Sequence, residues 1–370
     1  MKKSFLQLLY MSFDLFGKNG LGNHGAAGAY GFLLSATPTL LVISFFLSLK
    51  TWTLPGLVSF AGIIWAGRIF ALDLFRGLKV VFTGPKKQNP ITENLIIILV
   101  EFGVVIAAAG LVFFSDAARA VLHNMGLWEN ALTFGGALYN SWFAPFAILF
   151  LVILASYTLI PANPPKTLSA IYGTFACMIP FIIIFAVFNY VLNPNRYNYI
   201  YGTLGTIITT LINIYFFFNF YFFGAQLAAI AGNFDAALFA RLQDINNSTI
   251  KLEKKLFSST DGRLNKYLRI YKPGDIILSA GDEGTDVHYI LKGKAMVNAG
   301  NTVFEIDEGN FFGEMAYLLN EKRTATIVAS SELKTLALPS NIFEQVLEAS
   351  SSTAHLIIAN LSQRLKAANG

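Results

Sequence analysis

The sequence lacks most of what a soluble enzyme or a metalloprotein needs. Cys177 is the only cysteine and there are four histidines in 370 residues, so an intrachain disulfide is excluded and a zinc or haem site is not favoured. Basic residues form no block longer than a pair, which argues against a nucleic-acid partner. The sequence contains no cluster of acidic residues or histidines that could hold a catalytic metal. We therefore expect no metal, no cofactor and no enzymatic activity.

Charge is also scarce, and it is unevenly distributed. Only 13% of the residues are charged and 54% are hydrophobic, whereas soluble domains are about a quarter charged. Residues 1–240 carry 12 Lys/Arg and 7 Asp/Glu, but residues 241–370 carry 15 of each. The first part therefore has a membrane-like composition and holds the whole net charge of +5, and the second part is typical of a soluble domain.

Six apolar segments are each long enough to cross about 30 Å of hydrocarbon. They lie near 26–49, 53–75, 92–114, 141–161, 168–192 and 202–230. The segments before and between them carry nine Lys/Arg on one side and three on the other, which predicts that both termini are cytoplasmic. Residues 1–20 have apolar side chains at helical spacing, which indicates an amphipathic helix at the membrane interface.

Two charges fall inside predicted spans. An unpaired Glu101 would cost about 2.5–3.5 kcal/mol on insertion scales. Arg68 and Glu101 lie at depths of roughly 10 and 13 Å, taking 1.5 Å per residue from the inner ends of their spans. The sequence therefore predicts an intramembrane pair, either structural or with a functional role such as proton coupling.

Beyond residue 231 the pattern changes. A polar, helix-compatible stretch at 232–266 is typical of a linker, and short strand-like runs separated by glycines follow. These runs are KYLRIY, DIILS, VHYIL, KAMVN, TVFEI, TATIVA and LKTLAL. They predict a small β-roll or jelly roll over residues 267–370, closed by helices near 340–349 and 352–367.

The strongest local motif is GNFFGEMAYLLNEKRTATIVA at 309–329. Gly313 permits a close backbone approach at the start of a helical turn, whose N–H groups favour an anion. Glu314 suits a sugar hydroxyl, and Arg323 offers a planar fork to a phosphate, with the Thr324 hydroxyl beside it. These groups together describe a site for a nucleotide with one phosphate; the alternative is a plain loop in which Glu314 and Arg323 form an ion pair.

Residues 267–366 resemble the cyclic-nucleotide-binding domain, and FGEMA with RTAT resembles its phosphate-binding cassette. The resemblance implies a cradle for phosphate and ribose lined by Gly313, Glu314, Met315 and Ala316. It further implies that Glu314 binds the ribose 2′-hydroxyl and Arg323 the cyclic phosphate, while Thr324 does not decide between cAMP and cGMP. Lys322 stands where many members have proline, which affects the stiffness of the loop more than its chemistry.

Three segments of the membrane half resemble the YihY/virulence-factor BrkB family. They are HGAAGAYGFLLSATPTLLV (24–42), YTLIPANPPKTLSAIYGTFA (157–176) and YNYIYGTLGTIITTLINIYFFFNFYFFGAQLAAI (197–230), which includes the last span. Gln226 stands where that family commonly has an acid, which puts any role of the acid in doubt here. The resemblance implies transport or lipid-related work in a bacterial inner membrane.

The predicted architecture is an all-α polytopic membrane domain of six transmembrane helices plus a C-terminal β-roll with flanking helices. Its domains are 1–231 with the interfacial helix, the helical linker 232–266 and the nucleotide-binding domain 267–370. The expected partners are cAMP or cGMP and the lipid bilayer, and a homo-oligomer stays open. A cyclic-nucleotide-gated channel is an alternative, although the last loop has no T-x-G-Y-G-like filter and the fourth span no regular cations. A signalling scaffold without transport is the other alternative.

Overall fold

The computed structural model describes residues 2–34, 54–84, 86–100, 144–191, 202–244, 253, 256–257, 263–300, 302–349, 353–359 and 361–362. The chain divides into two compact units, Tyr10–Gly232 and a second unit that joins Met1–Leu9 to Asn233–Gly370. The division after Gly232 lies beside the predicted end of the membrane domain at residue 231. The first nine residues group with the C-terminal unit, whereas the sequence prediction placed them in the membrane domain.

The described elements before residue 233 are helical. They are α1 Lys2–Lys18, α2 Leu54–Val81, α3 Ala144–Leu159, α4 Thr167–Val191 and α5 Gly202–Gly232, with further helical stretches at 21–34 and 90–100. The helix predicted at the N-terminus is confirmed as α1. α4 and α5 are rich in apolar residues on every side, which is the pattern of helices surrounded by apolar neighbours or lipid.

Of the described helices, two are long and apolar enough to cross a membrane: Thr167–Phe188 and Ile208–Gly232, with mean hydropathies of 2.3 and 1.5. They coincide with the fifth and sixth predicted spans. The fourth prediction, 141–161, corresponds to the shorter helix α3 of 16 residues. The second, 53–75, corresponds to α2, whose C-terminal half contains Arg68, Asp73, Arg76 and Lys79. The first and third predicted spans extend into 35–53 and 101–143, outside the described residues.

α4 and α5 come into close backbone contact. A Cβ atom added at Gly173 would lie 2.4 Å from the Gly224 carbonyl oxygen, and one at Gly224 would lie 2.4 Å from the Gly173 carbonyl oxygen. The buried Tyr157 hydroxyl donates to the Tyr221 carbonyl beside this contact. Gln226 is buried on α5 and its Oε1 accepts a hydrogen bond from the Asn19 side chain (3.2 Å). Gln226 therefore serves as a neutral hydrogen-bonding partner within this unit.

The C-terminal unit begins with helix α6 Phe234–Asp244 and the 3-10 turn Arg263–Tyr267. Its strands are β1 Leu268–Tyr271, β2 Ile276–Leu278, β3 Val287–Lys292, β4 Ala295–Ala299, β5 Thr302–Ile306, β6 Phe311–Phe312, β7 Thr326–Ala329 and β8 Leu333–Leu338. Helix α7 Glu314–Leu319 lies between β6 and β7, and α8 Ser340–Ala349 follows β8. Asp235 joins the ends of this linker region, since its carboxylate pairs with Lys266 (2.6 Å) and Arg263 (3.3 Å).

The strands form two four-stranded antiparallel sheets in the orders β1-β8-β3-β6 and β2-β7-β4-β5. All seven strand-like runs in the sequence are confirmed as strands, and β6 was missed because two residues give no alternating pattern. On one face of the first sheet, Tyr289 and Phe311 pack against Phe239 of α6, and Phe311 also packs against Phe343 of α8. The helices thus cover this sheet and leave its other face to the interior of the roll.

Candidate functional site

The predicted cassette begins with a tight turn after β6. Gly313 has φ 79°, which L side chains rarely adopt, and it directly precedes α7. A Cβ atom at this position would lie 2.9 Å from Arg323 Nη1, 3.0 Å from Leu278 Cδ1 and 3.2 Å from the Asp286 carbonyl oxygen. Glycine is therefore required here both by the backbone angle and by the closeness of three neighbours.

Arg323 is fixed by two backbone carbonyl groups. Its Nη1 group donates to the Gly313 carbonyl (2.7 Å) and its Nη2 group donates to the Asp286 carbonyl (2.9 Å), and the residue is 7% exposed. A guanidinium has five N–H donors, so these two bonds orient the fork and leave further donors for a ligand. Both bonds hold loop backbone that approaches the arginine from different parts of the chain.

The loop before Arg323 is also held at its backbone. The Arg323 N–H donates to the Asp282 carbonyl (3.0 Å), and the Gly281 N–H donates to the Arg323 carbonyl (2.8 Å). Lys322 is exposed and pairs weakly with Glu283 (3.4 Å). Adjacent residues on this loop therefore point differently: the arginine is directed inward and the lysine into solvent.

A cavity of about 580 Å³ opens beside Arg323 and is lined by residues of β1, β2, β3 and β8 and of the adjoining loops. Its lining includes the cations Lys266, Arg269 and Arg323 and the acids Asp282, Glu283 and Asp286, with His288, Tyr271, Ile277 and Leu278 as neutral walls. The three acids equal the three cations in number, so the anion-binding character of the site depends on the buried guanidinium of Arg323, and the apolar and hydroxyl groups offer contact area to the uncharged part of a ligand.

The charge state of Arg323 follows from its surroundings. Burial lowers the pKa of the Arg323 guanidinium, and the carboxylates of Asp286, Asp282 and Glu314 oppose that shift. Arginine remains protonated in proteins because its unperturbed pKa is so high. The site therefore presents a fixed positive charge to its ligand.

His288 was not singled out from the sequence and lies in the same cavity. Burial, and next the charges of Arg323 and Arg269, lower the pKa of His288 to about 4. Its ring stacks on Phe312, with centroids 4.9 Å apart and planes at 6°, and its Nδ1 lies 3.3 Å from the Thr335 hydroxyl. It is a neutral wall of the cavity at neutral pH. The sequence carries no signal that marks His288, because its place opposite Phe312 depends on the pairing of two strands.

The other predicted ligand residues differ in their exposure to solvent. Glu314 and Ala316 are each 2% exposed, Met315 is half-buried and Thr324 is exposed. Of the six predicted residues, Arg323 is the one that lines the cavity itself. The structure brings Gly313 and Arg323 into direct contact, and the roles of Glu314, Met315, Ala316 and Thr324 toward a ligand stay predictions.

The predicted intramembrane pair stays untested because Glu101 lies outside the described residues. Arg68 is exposed on α2. Within the described ranges, no three His, Cys, Asp or Glu side chains are grouped as a metal site.

Residues 268–350, which form the eight-stranded roll with the buried arginine and the short helix, match the family profile described as Cyclic nucleotide-binding domain. Residues 51–243 match the profile described as Virulence factor BrkB. That match covers more than half of the chain, which therefore belongs to the BrkB family and carries a cyclic nucleotide-binding domain at its C-terminal side. Both family predictions are confirmed.

Individual relatives match over the length of one domain. The chain is 35% identical over 78 residues to a cAMP-dependent protein kinase regulatory subunit of Hypocrea atroviridis, covering 21% of this chain and 17% of that protein. It is 36% identical over 83 residues to a cyclic nucleotide-gated potassium channel of Rhizobium etli, covering 22% and 23% respectively. The chain thus spans less than a quarter of the length of these relatives. The catabolite activator protein of Thermus thermophilus is 24% identical with a TM-score of 0.27, over 35% of this chain and 60% of that one.

Proposed function

We propose that this chain is a bacterial inner-membrane protein whose cytoplasmic β-roll binds cAMP or cGMP, and that the bound nucleotide regulates transport or lipid handling by the membrane domain. In this proposal the chain has a regulatory and transport role and no catalytic one. The observation that carries the nucleotide part is the buried guanidinium of Arg323, which two carbonyl groups hold at the edge of a 580 Å³ cavity.

The chemistry of that position favours a cyclic phosphodiester. A buried cation is costly unless an anion or hydrogen-bond acceptors compensate it, and Arg323 has donors left after its two carbonyl bonds. Glu314 is buried one residue after the glycine that contacts Arg323, which suits a ribose hydroxyl next to a bound phosphate. The relatives include cAMP-dependent and cGMP-dependent protein kinases, which supports both cAMP and cGMP as candidate ligands.

For the membrane half, support comes from the BrkB family and from the two helices of sufficient length and hydropathy. We propose six spans with both termini in the cytoplasm, because the loop cations are distributed nine to three. That topology would place the β-roll where cyclic nucleotides are made. A gated channel is kept as a second candidate because a cyclic nucleotide-gated channel is among the relatives.

The nucleotide part is tested by titration calorimetry with cAMP and cGMP on the full chain purified in detergent. A hydrogen bond to a charged group is worth about 1.5–3 kcal/mol, or roughly a 10- to 150-fold change in Kd. We therefore expect Arg323→Ala to weaken binding at least tenfold. Arg323→Lys keeps the charge and loses the planar fork, so its affinity for the nucleotide should lie between that of the parent chain and that of Arg323→Ala.

Lys322→Ala is the matched control, since Lys322 is the neighbouring cation and is exposed. It should leave the Kd within about twofold. Because Arg323 also holds the Gly313 and Asp286 backbone, Glu314→Gln provides a second variant that keeps the shape of the site. Equal losses for Arg323→Ala and Lys322→Ala would replace the proposal with a diffuse basic surface, and absence of binding by the parent chain would overturn it.

The transport part is tested in liposomes that contain the full chain, with and without nucleotide. Nucleotide-dependent movement of a solute or of labelled lipid supports the proposal. An ionic current would instead establish the channel. If no solute, lipid or ion moves in any assay, the remaining candidate is a signalling scaffold without transport.

A further inference from the structure

A second cavity, of about 380 Å³, lies within the helical unit where α2 and α3 end. One wall is apolar and includes Phe75, Leu78, Phe82 and Ile160, and the rim includes Lys86 and Lys87. It shares no lining residue with the cavity beside Arg323. Its position and chemistry therefore require a separate explanation.

The two loops that form the rim are fixed to each other through Asn163. Its Oδ1 accepts from the Lys86 N–H (3.2 Å) and its Nδ2 donates to the Lys86 carbonyl (3.1 Å). A Cβ atom at Gly84 would lie 2.5 Å from Asn163 Cγ, so a residue without a side chain lets the loops approach. The clamp uses only the backbone of Lys86, and its ammonium group is not needed to hold the loop.

The rim is positively charged. Lys79 pairs with Glu93, and both line the cavity. Among the described residues, Lys86 and Lys87 form no ion pair, and both are exposed. The clamp thus fixes the backbone of Lys86, next to Lys87, at the rim of a cavity with an apolar wall. The carboxylate of Glu93 is already engaged by Lys79.

We infer that this cavity binds a phosphate-bearing anion, either the phosphate of an anionic phospholipid or that of a soluble phosphate ester. Paired lysines above an apolar pocket between helices provide charge for the phosphate and contact area for a glycerol or acyl portion. The inference is independent of the nucleotide site, because every residue that carries it belongs to the unit Tyr10–Gly232.

The test is native mass spectrometry of the full chain in detergent, titrated with dioleoyl phosphatidylglycerol and, separately, with dioleoyl phosphatidylcholine. We expect saturable binding of phosphatidylglycerol, tighter than that of phosphatidylcholine. A parallel arm adds glycerol 3-phosphate: displacement of the lipid by it assigns the site to soluble phosphate esters, and retention of the lipid assigns it to the membrane. Binding of both lipids with equal affinity would overturn the inference.

Three substitutions separate a built site from general surface charge. Lys86→Gln should weaken phosphatidylglycerol binding about fivefold, the effect of one lysine at an anionic surface. Glu93→Gln should strengthen binding, since it removes the carboxylate and releases Lys79. Lys166→Gln is the matched control: it removes an exposed cation three residues from Asn163 that does not line the cavity, and should change the affinity less than twofold.

Equal losses for Lys86→Gln and Lys166→Gln would overturn the inference, as would a Glu93→Gln variant that binds no more tightly than the parent. Folding of each variant is checked independently by the labelling rate of Cys177, the sole cysteine, which is buried in the same unit. Asn163→Ala, which breaks the clamp and changes no charge, should also weaken binding when Cys177 stays protected.

Discussion

The helical unit and the β-roll use glycine for opposite reasons. At Gly173 and Gly224 the backbone is helical and the missing side chain lets two helices touch, with a carbonyl oxygen 2.4 Å from where each Cβ would be. At Gly313 the backbone has a positive φ, and the turn itself is what other residues cannot make. One unit thus depends on glycine for distance and the other chiefly for angle.

The two units also bury different polar groups. The helical unit buries hydroxyl groups that are neutral at physiological pH: Tyr157 donates to the Tyr221 carbonyl, and Tyr221 donates to Ser156 Oγ (2.8 Å). The β-roll buries groups that titrate or carry charge, among them His288 and Arg323. The roll should therefore respond to mild acid more strongly than the helical unit.

The largest expected effect is a loss of β-roll stability in acid. Because the folded-state pKa of His288 is lowered to about 4 from an ordinary value of 6.5, the unfolded chain takes up the proton first as the pH falls. The stabilisation is complete above about pH 6.5 and is lost as the pH falls toward about 4, by about 3 kcal/mol in total. Hydrogen exchange of the β3 and β8 peptides in the full chain, corrected for intrinsic rates, measures it.

His288→Gln removes the titrating ring and should remove this part of the pH dependence, leaving that of the carboxylates. His355→Gln is the matched control, since His355 is an exposed histidine in the same unit and should leave the pH dependence of the parent unchanged. If His288→Gln and the parent lose protection equally between pH 6.5 and 4, burial of the neutral ring does not contribute to stability.

Much of the β-roll could be predicted from sequence because each strand is short, alternating and bounded by a turn. What could not be predicted was contact made across the sheets: β6 is two residues long, and His288 becomes a cavity wall only because register places it opposite Phe312. The direction of Arg323 could be inferred from its chemistry, but its two carbonyl partners come from Gly313 and Asp286, which no spacing rule connects.

The helical unit was harder to predict in detail. Composition and hydropathy located α4 and α5 because a uniformly apolar run of this length has few alternatives. Hydropathy also placed segments at α2 and α3, but it could not show that α2 continues through four charged residues or that α3 has only 16 residues. Gln226 was noted as a missing acid, and its hydrogen bond to Asn19 depends on the turn after α1, more than 200 residues away in sequence.

An intermediate effect is expected at the helix contact. Gly173→Ala places a methyl group 2.4 Å from the Gly224 carbonyl oxygen and 2.7 Å from Ala228 Cβ, so the helices must separate. Overpacking of this kind costs about 1–3 kcal/mol. Unfolding can be followed in the full chain in detergent with a fluorogenic maleimide, which reacts with the buried thiol of Cys177 on heating. The melting temperature of Gly173→Ala should be several degrees below that of the parent.

The control for that contact is Gly22→Ala, because its added Cβ would lie 3.8 Å from the nearest atom, at ordinary contact distance. Alanine is the better helix former, so this variant should melt at or slightly above the parent temperature. A melting temperature that falls equally in both variants would mean that the α4–α5 contact does not limit stability.

The smallest expected change in stability is at the turn of the β-roll, and it separates angle from distance. Gly313 and Gly300 both have positive φ, 79° and 60°, but a Cβ atom at Gly300 would meet nothing within 4 Å. Both alanine variants should lose about 1–2 kcal/mol of folding stability because of the backbone angle.

The two variants should differ in cyclic-nucleotide binding. Gly313→Ala alone must also displace Arg323 Nη1, so it alone should weaken binding, by roughly tenfold if one charged hydrogen bond is lost. Calorimetric titration of the two full-length variants with cAMP and cGMP decides between the two causes. Equal affinities would show that the glycine serves the turn alone and that the arginine tolerates a neighbouring methyl group.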